Sequence, residues 1–245
     1  MKVAVVTPYY RESFEILMRC HNSVKSQTYP DITHFLVADG FPNITCDKLQ
    51  NFKIKNNKKT IKVQHIKLPN SHNDAGATPR AIGALSAFSQ QFDAVAFLDA
   101  DNWYEPDHIS EMVENMKANS SDAVIATRTI HALDETPLYV DTIESNGENM
   151  VDTNSWFLGR NTSRLMSFWI TAPSQRLVSD KIFFYACRQN NMKISRCLKP
   201  TVAYVTHWAW HYKQAGKLIP PDSVWIDTDK NGSLIHIKEK DRRLL

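Results

Sequence analysis

The sequence predicts an α/β fold: a mostly parallel central sheet covered by helices on both faces, followed by an irregular second half. Three observations predict it. Apolar, β-branched runs alternate with amphipathic stretches at helical spacing through the first 130 or so residues. The connections between them are short, as in a sheet wound with helices. Runs such as Ala94 to Leu98 are apolar throughout, which fits strands buried on both sides.

Val3-Ala4-Val5-Val6 opens the pattern and ends at Thr7-Pro8. Phe14, Leu17, Met18 and Val24 then fall near helical spacing, with Tyr29-Pro30 beyond the helix end. Phe35 to Ala38 reads as a second strand, turning at Asp39-Gly40. A third strand is read over Ile61 to Leu68, a second helix over Arg80 to Phe88, and the strand Ala94 to Leu98 runs straight into Asp99. Pro106 suits the first turn of the next helix, Asp107 favours its N-terminal dipole, and Ile109, Met112, Val113 and Met116 form one stripe. Ala123 to Ala126 gives another strand. Past about residue 130 the alternation becomes irregular, so residues 1–130 read as one half and 131–245 as a second, joined in one compact body.

With 42% hydrophobic and 22% charged residues, the chain has the composition of an ordinary folded protein. A net charge of +3 does not announce a nucleic-acid partner, although the tail from Lys238 to Arg243 offers weak peripheral contact with an anionic membrane surface. No apolar run approaches a membrane span and no signal-peptide layout is present, which points to the cytoplasm or the inner face of its membrane. Cys20, Cys46, Cys187 and Cys197 show neither CxxC pairing nor zinc-ligand spacing, so free thiols are expected.

Both GxGxxG and GxxxxGK[ST] are missing, so phosphate is handled without those loops. Two carboxylates at the mouth of a buried strand are costly unless a cation faces them, and a divalent metal bridging a diphosphate supplies one. Asp99-Ala100-Asp101 fits that task. The pattern alone is weak: seventeen Asp in 245 residues give roughly one D-x-D by chance, and there are two. The second, Asp227-Thr228-Asp229, begins like a calcium-binding loop, but Lys238 stands where a bidentate Glu is needed. Val224 to Ile237 therefore reads as a hairpin turning at Asp229 to Gly232.

Thr7-Pro8-Tyr9, Ser26-Gln27-Thr28-Tyr29, Val37-Ala38-Asp39-Gly40, the segment from Asn73 to Gly83, and Phe97-Leu98-Asp99-Ala100-Asp101 together resemble, in order, the family 2 glycosyltransferases. The resemblance covers the first 120 or so residues well. It implies the Rossmann-like GT-A fold, with a nucleotide-sugar-binding half followed by an acceptor-binding half. It further implies transfer, with inversion, of a sugar from a nucleotide sugar, most naturally UDP-linked, to a hydroxyl of a glycan or lipid-linked acceptor in polysaccharide, lipopolysaccharide or other glycan biosynthesis. Thr7, Pro8 and Tyr9 would line the nucleobase pocket, Asp39 would accept from the base, and Arg80 would lie near the nucleotide. Ala38 departs from the second Asp common in the family. Asp99 would contact the ribose or a metal-bound water, Asp101 would ligate Mn²⁺ or Mg²⁺ directly, and His207 is the match for a further ligand. Asp180, after Ser179 and at the start of a helix-like run, would be the general base.

His207 and His211 lie four apart but lack the HExxH glutamate, which sets a zinc pair aside. Trp208 and Trp210 offer faces to an acceptor sugar, or simply to the core. Two other functions share these features: a sugar nucleotidyltransferase, and a non-catalytic sugar-binding relative. The first would show a Gly-rich loop where Tyr9-Tyr10-Arg11-Glu12 stands.

Overall fold

The computed structural model describes residues 1–50, 61–148, 150–170, 175, 178–228 and 234–242. The chain begins with β1 (Val3–Tyr9), α1 (Phe14–Lys25), β2 (Ile32–Asp39), α2 (Cys46–Gln50) and β3 (Lys62–Leu68). It continues with α3 (Ala77–Ser89), β4 (Ala94–Phe97), β5 (Trp103–Tyr104), α4 (His108–Asn119) and β6 (Ala123–His131). Then come β7 (Pro137–Val140), β8 (Trp156–Gly159), a 3-10 helix (Arg160–Trp169), α5 (Ser179–Gln189), β9 (Ile194–Val205) and α6 (Ala209–Gln214). The hairpin β10 (Val224–Thr228) and β11 (Leu234–Lys238), with α7 (Glu239–Arg242), ends the described chain.

The main sheet runs β3-β2-β1-β4-β8-β6-β9-β5, with β7 alongside β6. Its long ladders, β3·β2, β2·β1, β1·β4 and β6·β9, are parallel, whereas the antiparallel pairings of β8, β5 and β7 are short. This is the predicted α/β fold with a mostly parallel sheet. β8, from beyond residue 130, inserts between β4 and β6, so both halves share one sheet.

Alternation along β1 divides the core. Ala4 and Val6 face α3, the 3-10 helix and α5, while Val3 and Val5 face α1 and α4. α1 starts where the Ser13 hydroxyl accepts the Ile16 amide, and it buries Leu17, Cys20 and Val24. α3 starts after Gly76, whose φ of +80° suits a residue without a side chain. Small residues keep α3 close to the sheet: a Cβ on Gly83 would lie 2.5 Å from Val6 Cγ1 and 2.9 Å from Val37 Cγ2.

Pro106 stands just outside α4, where its carbonyl accepts the Thr28 amide, and the Asp107 carboxylate pairs with Lys199 without capping the helix. Two buried imidazole sites stiffen this side of the sheet. His21 and His34 stack with their Nδ1 atoms 3.0 Å apart, and His108 stacks on Tyr104. All four cysteines are buried and free of disulfides. Among the described residues no helix is long and apolar enough to cross a membrane. The turn expected at Asp229 to Gly232 and the end of the basic tail lie outside the described residues.

Candidate active site

The carboxyl ends of β1, β2 and β4 open on one rim, where an α/β sheet presents its ligand crevice. A cavity of about 340 Å³ occupies it, walled by Pro8, Tyr9, Tyr10, Glu12, Asp39, the turn before α3, and Asp99 to Asp101. A second cavity, of about 540 Å³, lies toward α5, α6 and β10, and holds Asp180 and three tryptophans. Arg80, Asp99 and Ala75 belong to both.

Several expected residues sit where the sequence reading put them, with differences in what they do. Thr7 is fully buried and bonds His34 Nε2, so its side chain points to the α1 side of the sheet and away from the cavity. Tyr9 reaches the cavity wall, but its ring is buried against His65 and its hydroxyl accepts the Asn43 amide. The neighbouring Tyr10 is 40% exposed, packs edge-on to Phe41 with the Arg11 guanidinium 5.0 Å over its ring, and lines the cavity. Asp39 already accepts from the His72 amide and the Ser71 hydroxyl, and lies 2.6 Å from His72 Nδ1.

Arg80 donates to Asp99 Oδ1 at 2.6 Å. The other oxygen of Asp99 accepts from Asn154 Nδ2, and the Asp99 amide donates to Asn154 Oδ1. Asp99 is thus held from both sides, oriented by Arg80 and Asn154. Asp101 is different: its carboxylate is 42% exposed and lies 3.9 Å from His207 Nε2. Desolvation in the cleft, then the charges of Asp99 and Glu12, push it up to about 7, against the lowering effect of Arg19. Arg19 anchors the segment by donating to the Asp101 carbonyl and to Glu135. Desolvation lowers His207, which favours the neutral imidazole a metal needs. No group of three or more metal-ligating side chains converges among the described residues, so Asp101 and His207 form a two-donor set. An oxygen and an imidazole nitrogen, both reachable, could serve as two donors to a divalent cation.

In the second cavity Asp180 begins α5 and its Oδ1 accepts the Lys181 amide. Desolvation and nearby Asp152 push it up to about 6, overriding the lowering effects of that hydrogen bond and of Arg80. A carboxylate near that value on the wall of the second cavity could take up a proton at neutral pH. Beneath lies a polar network that the sequence reading missed. Arg128, 2% exposed, contacts Asp141 at 2.8 Å, Glu144 at 2.6 Å and Asp152 at 2.9 Å. Asn154 donates on to Asp152, which connects this cluster to Asp99 and Arg80. His211, buried, lies between Thr206 and Glu144. His207 precedes α6, so the two histidines face different partners.

Residues 4–184 match the family described as Glycosyl transferase family 2. The succinoglycan biosynthesis protein ExoW of Rhizobium meliloti (strain 1021) is 30% identical over 128 residues, covering 52% of this chain and 38% of ExoW. S. aureus TarS 1–349 in complex with UDP superposes with a TM-score of 0.63 at 14% identity, over 88% of this chain and 63% of that one. Its complex with UDP-GlcNAc gives 0.62 at 15%, over 84% and 59%. The TarS likeness is one of fold, and this chain spans less than two thirds of the length of these relatives.

Proposed function

The chain belongs to glycosyl transferase family 2, and we propose that it moves a sugar from a UDP-sugar to an acceptor hydroxyl in glycan biosynthesis, with inversion. One observation carries the reading: a polar cavity at the strand ends and an aromatic cavity holding Asp180 meet at Arg80 and Asp99. Nucleotide in the first and acceptor in the second would place the reacting carbon at that junction. Membership of the family sets the nucleotidyltransferase alternative aside.

Tyr10 offers its face to the base, and Asp39 supports the base-binding loop through Ser71 and His72. Arg80, buried and already bonded to Asp99, directs guanidinium charge to the place where the leaving diphosphate gains negative charge. Asp101 and His207 would hold Mn²⁺ or Mg²⁺, which when bound offsets the repulsion between the diphosphate and the carboxylates. Asp180 takes the acceptor proton as its oxygen attacks the anomeric carbon in line with the departing UDP. A single displacement inverts configuration.

The test is calorimetry of UDP with Mn²⁺ and with EDTA, alongside hydrolysis of UDP-sugars. UDP binding that needs the metal in the native chain, and loses that dependence in Asp101→Ala, is the expected result. Equal affinity with EDTA would remove the metal, and no binding under either condition would overturn the nucleotide assignment.

A further inference from the structure

We infer that the second cavity accepts an uncharged pyranoside, held by stacking on indole faces, and rejects phosphorylated or uronic acceptors; this rests on the transferase reading and specifies its acceptor. Three tryptophans line the cavity, and the N–H of each is committed elsewhere. Trp210 donates to Glu144 Oε1 at 2.8 Å, Trp208 to the Tyr204 hydroxyl at 3.0 Å, and Trp225 to Glu239 Oε2 at 2.5 Å. With the N–H groups occupied, what the rings offer a ligand is carbon surface. An indole face is an apolar platform, and the C–H side of a sugar ring is its natural complement. Trp210 is 40% exposed, so part of its ring is open to such a contact.

Charge makes the selection against anions. Asp99, Glu144, Asp152 and Asp180 stand on the wall against Arg80, Arg128 and Lys181. Arg80 is taken by Asp99, and Arg128 by Glu144 and Asp152 together with Asp141. Among the described residues, an anion entering here would meet four carboxylates, with Arg128 held by three of its neighbours, Arg80 committed to Asp99 and the donor side, and Lys181 as the remaining cation on the wall. Sugar hydroxyls meet the opposite condition, since carboxylate oxygens accept from them. Glu144 holds the cavity together: it fixes Trp210, lies 2.8 Å from His211 Nε2 and is itself fixed by Arg128.

The experiment uses the whole chain saturated with UDP and Mn²⁺ and titrates methyl glycosides of glucose, galactose and mannose against methyl glucuronide and glucose 6-phosphate. Binding is read by saturation-transfer NMR. At least one neutral glycoside should saturate and should bind ten-fold or more tightly than either anion. Trp210→Ala should weaken it ten-fold or more, Trp210→Phe should restore most of the loss, and UDP affinity should stay unchanged in both. Equal or tighter binding of the anions, no saturable neutral glycoside, or undiminished binding in Trp210→Ala would each overturn the assignment. Loss of UDP binding in the native chain would instead strike the transferase reading and leave the glycoside result standing.

Discussion

Replacing Arg128 with Met tests how far the floor of the second cavity depends on one buried charge. Methionine keeps the length and fills the space, but Asp141, Asp152 and Glu144 then face one another without their shared cation. Removing one partner of a buried ion pair costs about 3–5 kcal/mol, because an uncompensated charge stays behind. Taking about 4 kcal/mol and about 3 °C per kcal/mol for a chain of this size, the melting temperature should fall by roughly 12 °C. The pH dependence carries more information than the shift itself. In the native chain Arg128 helps hold Asp141 and Glu144 below the usual carboxylate range, so their contribution is present at neutral pH and lost as pH falls through their folded values. Without Arg128 the same carboxylates rise and can be neutralised by protons, so the gap between native and variant should narrow from pH 7 to pH 5. Urea unfolding followed by tryptophan fluorescence at both pH values reads it. A gap below about 1 kcal/mol, or one that is the same at both pH values, would refute the argument that charge burial governs this floor.

Asp180→Asn should lower kcat by about two to four orders of magnitude with UDP affinity unchanged, and the native rate should rise with pH through about 6 as the base deprotonates. A flat native profile, or a product of retained configuration by NMR, would remove Asp180 as the base. Gly83→Ala gains helix propensity but forces α3 off Val6 and Val37, for a net loss of about 1–2 kcal/mol and weaker UDP binding through displaced Arg80. Unchanged melting and unchanged UDP affinity would show that this close packing does not position the site. Burial lowers His21 to about 4 and His108 to about 3, so the unfolded chain takes up protons first and stability should fall from pH 6.5 toward pH 4. Over that span His108 contributes on the order of 3 kcal/mol, so His108→Phe should make the acid limb shallower, and a native-like limb in the variant would contradict the assignment.

The sheet and its rim were legible because buried strands are written as unbroken apolar runs and end in polar residues. β1, β2, β4 and α4 follow that pattern, and Asp39, Asp99 and Asp101 stand at their mouths. Periodicity did not reveal β8, whose four residues Trp156 to Gly159 carry no alternation and follow an irregular stretch. The family resemblance gave Thr7 to the cavity, although β alternation counted from Val5 places Thr7 on the α1 side and Pro8 on the other. Arg128 and Asn154 escaped for a different reason. Each makes its bonds with residues from other segments or from loops, and neither stands in a local motif, so only folding brings Asp99 to Asn154 and Asp152 to Arg128. Arg128 did leave one sign in the sequence: a lone cation inside an otherwise apolar and small-residue strand, a place that requires a partner.

If donor and acceptor occupy the two cavities as proposed, Arg80 and Asp99, as walls of both, would couple their binding. A diphosphate that draws Arg80 toward itself loosens its hold on Asp99 and makes the second cavity more negative. An acceptor hydroxyl that donates to Asp99 does the reverse and frees the guanidinium for phosphate. Linkage then requires reciprocity: whatever factor the acceptor applies to donor affinity, the donor applies to acceptor affinity. On that reading the ion pair would act as a balance beam between the two substrates, its set point deciding how often a bound donor waits for an acceptor before water reaches it.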